Sequence, residues 1–185
     1  GSLPRDRPAQ VLFGYESSYR PDATEQALPD VAAARRVLGE RRPDIIERLS
    51  SMATRFSVDP RALDAALLGT ARLATRHGSL GEDFHAYHNE GHVLEICGER
   101  IDRLRESLGL HALTLREWCA LMLFGAGHDL RQREAPQLVD GVGANERASI
   151  EETQRILDAC GFSREHDADL ELARRDDDPA DDVGD

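Results

Sequence analysis

Apolar positions recur at steps of three and four along most of this chain, which is the signature of helices that bury one face. After Pro43-Asp44, the residues Ile45, Ile46, Leu49, Met52, Ala53 and Phe56 fall on one stripe and predict an amphipathic helix. Asp59-Pro60 is a helix start, a capping acceptor followed by a residue whose φ suits the first turn, and the pattern then runs to His77-Gly78. From about Glu90, the stripe Val93, Cys97, Ile101, Leu104 and Leu108 predicts a further helix that ends before Gly109. Thr114 and Glu117 form a capping box for a segment that is apolar on nearly every side, and this predicts the central helix. A polar loop running from Asp129 to Gly143 holds Pro136 and two glycines, Gly141 and Gly143; the next helix runs from about Asn145 to Cys160-Gly161, and Ser163 is placed to cap a last short one. There is no strand alternation, internal repeat or glycine-rich phosphate loop, so the expected class is all-α.

At 185 residues the chain suits one core. Residues 1–29, with prolines at 4, 8, 21 and 29, are expected as an irregular arm, 30–175 as a helical domain and 176–185 as a disordered acidic tail. Six aspartates in that tail carry half of the formal net charge of -12, and the body is only moderately acidic. All 23 basic residues are arginine, which we read as the codon usage of a GC-rich genome. Without a basic cluster, no surface for a nucleic-acid polymer is expected; the partner class is a small phosphorylated substrate, and a homo-oligomer is left open. The longest apolar run, Leu121 to Gly127, falls far short of the roughly 18 to 20 residues of a membrane span, so the expectation is a cytoplasmic protein without membrane contact. Cys97, Cys119 and Cys160 lie far apart and read as small buried hydrophobes.

The candidate chemistry lies in two places. His88 and His92 are four apart, which in helical geometry puts their side chains on one face with Cβ atoms about 5 to 6 Å apart. His92 borders the apolar stripe and is expected to point inward. His128-Asp129 closes the apolar central segment, where burying a carboxylate is costly unless a cation offsets it. Two imidazoles and a carboxylate suit a divalent metal with positions left to water, which would be acidified into a nucleophile. His77, His111 and His166 read as ordinary core or surface residues and His85 as structural.

The stretch Tyr87-His88-Asn89-Glu90-Gly91-His92, followed 36 residues later by His128-Asp129, resembles the defining pattern of HD-domain phosphohydrolases. The Y-H-N-x-x-H form is shared with cyclic-nucleotide phosphodiesterases. Asn145-Glu146-Arg147-Ala148-Ser149 is similar to a stretch found in small bacterial predicted HD hydrolases, so the likeness covers about residues 84–160. It implies an HD-domain or phosphodiesterase-like helical bundle and a metal-dependent phosphohydrolase acting on a nucleotide or other small phosphorylated metabolite through metal-activated water. The cofactor would be a divalent ion, with manganese, iron, cobalt, nickel, zinc and magnesium not distinguished.

Carried over residue by residue, the resemblance implies His92, His128 and Asp129 as metal ligands. His88 becomes a proton donor to the leaving oxygen or a contact to substrate phosphate. Glu134 could orient the attacking water, although a solvated loop carboxylate is the simpler role. Asn145, Glu146 and Arg147 are candidates for substrate binding beside plainer roles: a helix cap for Asn145 and a solvated face for Arg147. The family usually adds a later aspartate to the metal site, for which Asp167 and Asp169 are the residues available. The alternative is a catalytically degenerate HD domain serving as a metal- or nucleotide-binding regulatory module. Gly125-Ala126-Gly127 lowers helix propensity just before the HD pair, which close helix packing or a local distortion would rationalise.

Overall fold

The computed structural model describes residues 19–109, 113–132 and 143–162; Glu134, Ser163, Asp167, Asp169 and the acidic tail, like His111 and His166, lie outside them. The described residues form helices α1 (Ala23–Ala27), α2 (Val31–Arg41), α3 (Pro43–Phe56), α4 (Pro60–His77), α5 (Glu90–Leu94), α6 (Ile101–Leu108), α7 (Leu115–Gly127) and α8 (Ala144–Ala159). A π-helical turn, Glu95–Arg100, joins α5 to α6. No strand occurs among these residues, so the protein is all-α as its periodicity predicts. No helix among them is long and apolar enough to cross a membrane.

Local signals set the helix ends. Asp59 accepts from the Arg61 backbone N–H at the start of α4, and Thr114 and Glu117 make the reciprocal capping box of α7. Gly161 takes the left-handed φ of 89° after α8. On α3 the predicted stripe is inside, with Ile45, Leu49, Met52, Ala53 and Phe56 all buried.

Three expectations are corrected. The arm assigned to 1–29 is not irregular over 23–27: Asp22 caps the one-turn helix α1, whose Glu25 is buried. The helix at the centre is α4 rather than α7. It packs against α1, α2, α3, α5, α7 and α8, and its many alanines let those neighbours approach. Phe124 on α7 is instead exposed. On the third helical stretch Val93, Cys97 and Ile101 are buried, but Leu104 and Leu108 are exposed. Ile101, Leu104 and Leu108 share one face of the regular helix α6, so the exposure comes from position: α6 packs mainly against the π turn it follows, and its later turns run out past the buried core.

A buried ionic network fixes how the segment after α7 sits. Glu152 of α8 is fully buried and receives Arg76 through two bonds, 2.8 and 3.1 Å, and Arg131 at 3.0 Å. Arg76 also reaches Asp22, at 2.7 and 2.9 Å, and donates to the Leu130 carbonyl at 2.6 Å. The Arg131 guanidinium continues to Glu25 at 3.2 Å, and its backbone N–H donates to Ser149 Oγ at 2.9 Å. Planar guanidinium forks satisfy several acceptors at once, which is why arginine can stay charged in such a place.

Removing one member of a buried ionic set strands the rest, so Glu152→Ala is expected to cost roughly 3 to 5 kcal/mol, read from chemical denaturation. The Asp22 carboxyl gives a pH prediction. Burial alone would raise it, but the Arg76 contact outweighs that and holds it at about 2, below its ordinary range near 3.8. A depressed carboxylate stabilises the fold above its unfolded pKa, and that stability is lost as pH falls toward the folded value. Melting temperature should therefore decline between about pH 4 and pH 2 less steeply in Asp22→Asn than in the wild type.

Candidate metal centre

His88, His92, His128 and Asp129 meet at one place. Asp129 Oδ2 lies 3.1 Å from His88 Nδ1, 3.0 Å from His128 Nε2 and 3.7 Å from His92 Nε2. The His92 and His128 rings are 5.7 Å apart, and those of His88 and His92 are 6.5 Å apart. His92, His128 and Asp129 each offer a ligand atom within 4.8 Å of the others.

The helical relation expected for His88 and His92 is not what joins them. Asn89 is the N-cap of α5, with extended φ of -139° and its Oδ1 accepting from Gly91 N–H at 2.8 Å, so the helix starts after His88. The same Asn89 side chain donates to the His85 carbonyl at 2.5 Å and ties the incoming loop to the cap. His88 thus reaches Asp129 from the loop and stays half exposed, whereas His92 comes from the first turn of α5 and lies at the edge of the core with its side chain 26% exposed.

The other half comes from the end of α7. His128 caps that helix, and its Nδ1 lies 3.0 Å from the Phe124 carbonyl oxygen. An N–H on Nδ1 donates there, and the lone pair on Nε2 then faces Asp129, the arrangement common to metal-binding histidines. Phe124 stacks on the imidazole with ring centroids 4.9 Å apart and limits its rotation. Asp129 Oδ2 is buried and has no hydrogen bond of proper geometry despite three imidazole nitrogens around it. Nitrogen lone pairs directed at a carboxylate oxygen repel it unless a proton or a cation lies among them, so this donor set fits a divalent metal.

The charges agree. Burial would raise the Asp129 carboxyl, but His128 and His88 outweigh it and hold the group at about 2. Burial would likewise lower His128, and the Asp129 contact turns the net shift upward.

What lets the two halves meet is the glycine run of α7. A Cβ on Gly125 would lie 2.8 Å from both Cys97 Sγ and Ile96 Cγ2 of the π turn, and one on Gly127 would lie 2.5 Å from Thr153 Oγ1 of α8. Gly69 of α4 makes a tight but less severe contact on the third side, where a Cβ would sit 3.3 Å from the Ala126 carbonyl oxygen. The run is therefore explained by close packing, with the π turn facing it. Cys97 itself is sealed in this contact, and burial pushes its thiol up to about 12, in keeping with an unreactive core cysteine.

Asn145, Glu146 and Arg147 lie in the first turn of α8, outside the ligand group around Asp129. Asn145 is not the cap: Gly143, at φ 81°, holds that position, and the side chains of Glu146 and Arg147 pass within about 4 Å of where its Cβ would be. Sequence reasoning missed Arg76, Arg131 and Glu152, the ionic set behind the site, because charged residues at those spacings read as solvated faces. It also passed over His77 and His85, although a histidine, an aspartate and a histidine at 77, 83 and 85 are close enough in sequence to have been grouped.

These elements define an all-α protein with a histidine–aspartate centre built between the start of α5 and the end of α7. Comparison with protein-family models, with curated proteins and with solved structures found no match for the chain.

The packing account makes a paired prediction. Gly125→Ala gains about 1 kcal/mol in helix propensity but overpacks the π turn at a cost of roughly 1 to 3 kcal/mol, so it should lower the melting temperature. Gly39→Ala, on an exposed face of α2 with open space around the new Cβ, should raise it. Thermal unfolding of the two variants beside the wild type checks the opposite signs.

Proposed function

We propose that this chain is a metal-dependent phosphohydrolase with an HD-like helical bundle, acting on a nucleotide or other small phosphorylated metabolite. The observation that carries it is the convergence of three imidazole nitrogens, within 3.7 Å, on a buried Asp129 oxygen that lacks a hydrogen bond. His92, His128 and Asp129 would hold the ion. A divalent cation, when bound, supplies Lewis acidity: it neutralises phosphate charge and lowers the pKa of water.

The chain's own groups have separate tasks in this reading. Asp129 keeps its charge through the physiological range, so it stays a ligand rather than a proton carrier. His128 is held in one orientation by the Phe124 carbonyl and ring. His88 is the most exposed of the four and stands on a loop where an incoming substrate can reach it, which suits a donor of a proton to the leaving oxygen. Arg147, and the Glu134, Asp167 and Asp169 carboxylates outside the described residues, take their roles from the resemblance alone: phosphate contact, orientation of water and the added ligand.

Metal analysis of protein purified without a metal-affinity column tests the reading, with His128→Ala and Asp129→Ala beside the wild type. One equivalent of transition metal should disappear in both variants, and manganese-supported hydrolysis of nucleotides should disappear with it. His88→Ala should keep that metal and lose roughly 10² to 10⁴-fold in kcat. A wild type that takes up no ion through these residues sinks the proposal. Metal bound through them without turnover on any phosphorylated substrate would favour the degenerate, regulatory form of the same fold.

A further inference from the structure

A second histidine–aspartate group stands at the other end of the loop that carries His88. His77 closes α4, while Asp83 and His85 lie on the loop that returns over that helix end. Asp83 Oδ2 is 3.2 Å from His77 Nδ1 and 3.4 Å from His85 Nε2. The two rings lie against each other, with centroids 4.1 Å apart. One ligand atom from each of the three residues falls within 4.8 Å of the others.

Burial makes this arrangement hard to explain by packing. His77 is only 2% exposed, and its Nε2 has no hydrogen-bond partner; His85 Nε2 is also buried without one. Leaving such polar atoms unsatisfied is costly, and two in one place are more so. A cation beside Asp83 Oδ2 would accept the idle lone pair of His85 Nε2 and that of His77 Nδ1, which also makes a long 3.4 Å contact to the Asp83 carbonyl oxygen; His77 Nε2, on the other side of its ring, would not be reached by that ion. In a tetrahedral site with metal–nitrogen and metal–oxygen bonds near 2.0 to 2.1 Å, neighbouring ligand atoms stand about 3.3 Å apart, close to the 3.2 and 3.4 Å found here. Asp83 is 46% exposed, so water has access to a remaining position.

The loop holds these groups in place without a ligand. His85 N–H donates to the His77 carbonyl at 2.9 Å, Leu80 N–H to the Ala74 carbonyl at 3.0 Å, and Ser79 N–H to Glu90 Oε1 at 2.9 Å. Arg42 reaches the same Glu90 oxygen at 2.8 Å. The approach is close enough that a Cβ on Gly81 would lie 1.9 Å from the Thr75 carbonyl oxygen.

We propose that His77, Asp83 and His85 form a second metal site, selective for a borderline divalent cation such as zinc, that clamps the loop leading to His88 onto the end of α4. Two neutral imidazoles and one carboxylate favour zinc, cobalt or nickel over magnesium or calcium, which prefer all-oxygen shells. The role is positional: His85 is tied through its carbonyl to the Asn89 cap, so fixing His85 also fixes the start of α5 and the loop between.

The test is a titration of metal-stripped protein with cobalt(II), followed by visible absorption, and with zinc, followed by stoichiometry. The Asp129→Ala variant disables the first centre and should still bind one equivalent. Adding His85→Gln or Asp83→Asn to it should weaken that binding at least tenfold. Both positions are less buried than His77, so these variants are the ones to rely on, and equal melting temperatures in chelator would show that the fold is kept. An Asp129→Ala protein that binds no cobalt or zinc overturns the proposal, as does one whose affinity is unchanged by both added substitutions. The centres are read separately, since in an otherwise wild-type chain Asp129→Ala removes one equivalent and His85→Gln the other.

Discussion

The geometry of this protein depends on how closely α7 can approach its neighbours over its last turn. Gly125, Ala126 and Gly127 face the π turn, α4 and α8; at Gly125 and Gly127 there is no room for a Cβ unless neighbours shift, and the contact of Gly69 with the Ala126 carbonyl is tight. Glycine is a poor helix former, so the run carries a local penalty of about 1 kcal/mol for each such residue. Close packing offsets that penalty, and the gain is positional: the turn that follows delivers His128 and Asp129 against His92. A bulkier α7 would hold the two halves of the centre apart while leaving each helix intact. The π turn serves the same contact from the other side, since it presents Ile96 and Cys97 to Gly125.

Behind that contact, charge holds the segment after α7. Leu130 and Arg131 are bound to α4 and α8 through Arg76, Glu152 and Ser149, so the peptide following Asp129 has little freedom. Arginine is suited to this position, because its fork engages two or three acceptors and stays protonated under burial. The use of arginine for every basic residue thus has a structural consequence even if its origin lies in codon usage. Glu152 shows how context changes meaning: the same glutamate on an outer helix face would be solvated, whereas here it is the fully buried hub of two cations.

The two histidine–aspartate groups have a shared logic and different settings. In each, a carboxylate oxygen sits among imidazole nitrogens at separations suited to a common ion. The first draws its residues from the start of α5 and the end of α7, 36 positions apart in sequence, and is open to solvent through the half-exposed His88. The second is local to one helix end and its following loop, with its imidazoles shielded. The loop from Gly78 to Asn89 spans both, so any stiffening at His85 is passed to His88 and to the first turn of α5.

The sequence by itself determined the helices and the identity of most of the first centre. Period, caps and glycine stops are local properties, and they placed α3, α4, α7 and α8 to within a residue or two. The histidines and the HD pair were visible because their chemistry is costly to bury without a partner. The tertiary structure decided the rest. That Asn89 caps α5 and leaves His88 on a loop, that the later turns of α6 leave Leu104 and Leu108 at the surface, and that α4 rather than the more apolar α7 is central all follow from how helices fit together. Burial and pairing depend on neighbours far away in the chain. Glu152 is the example: its charge can be read from the sequence, but its two arginine partners are brought to it only by folding.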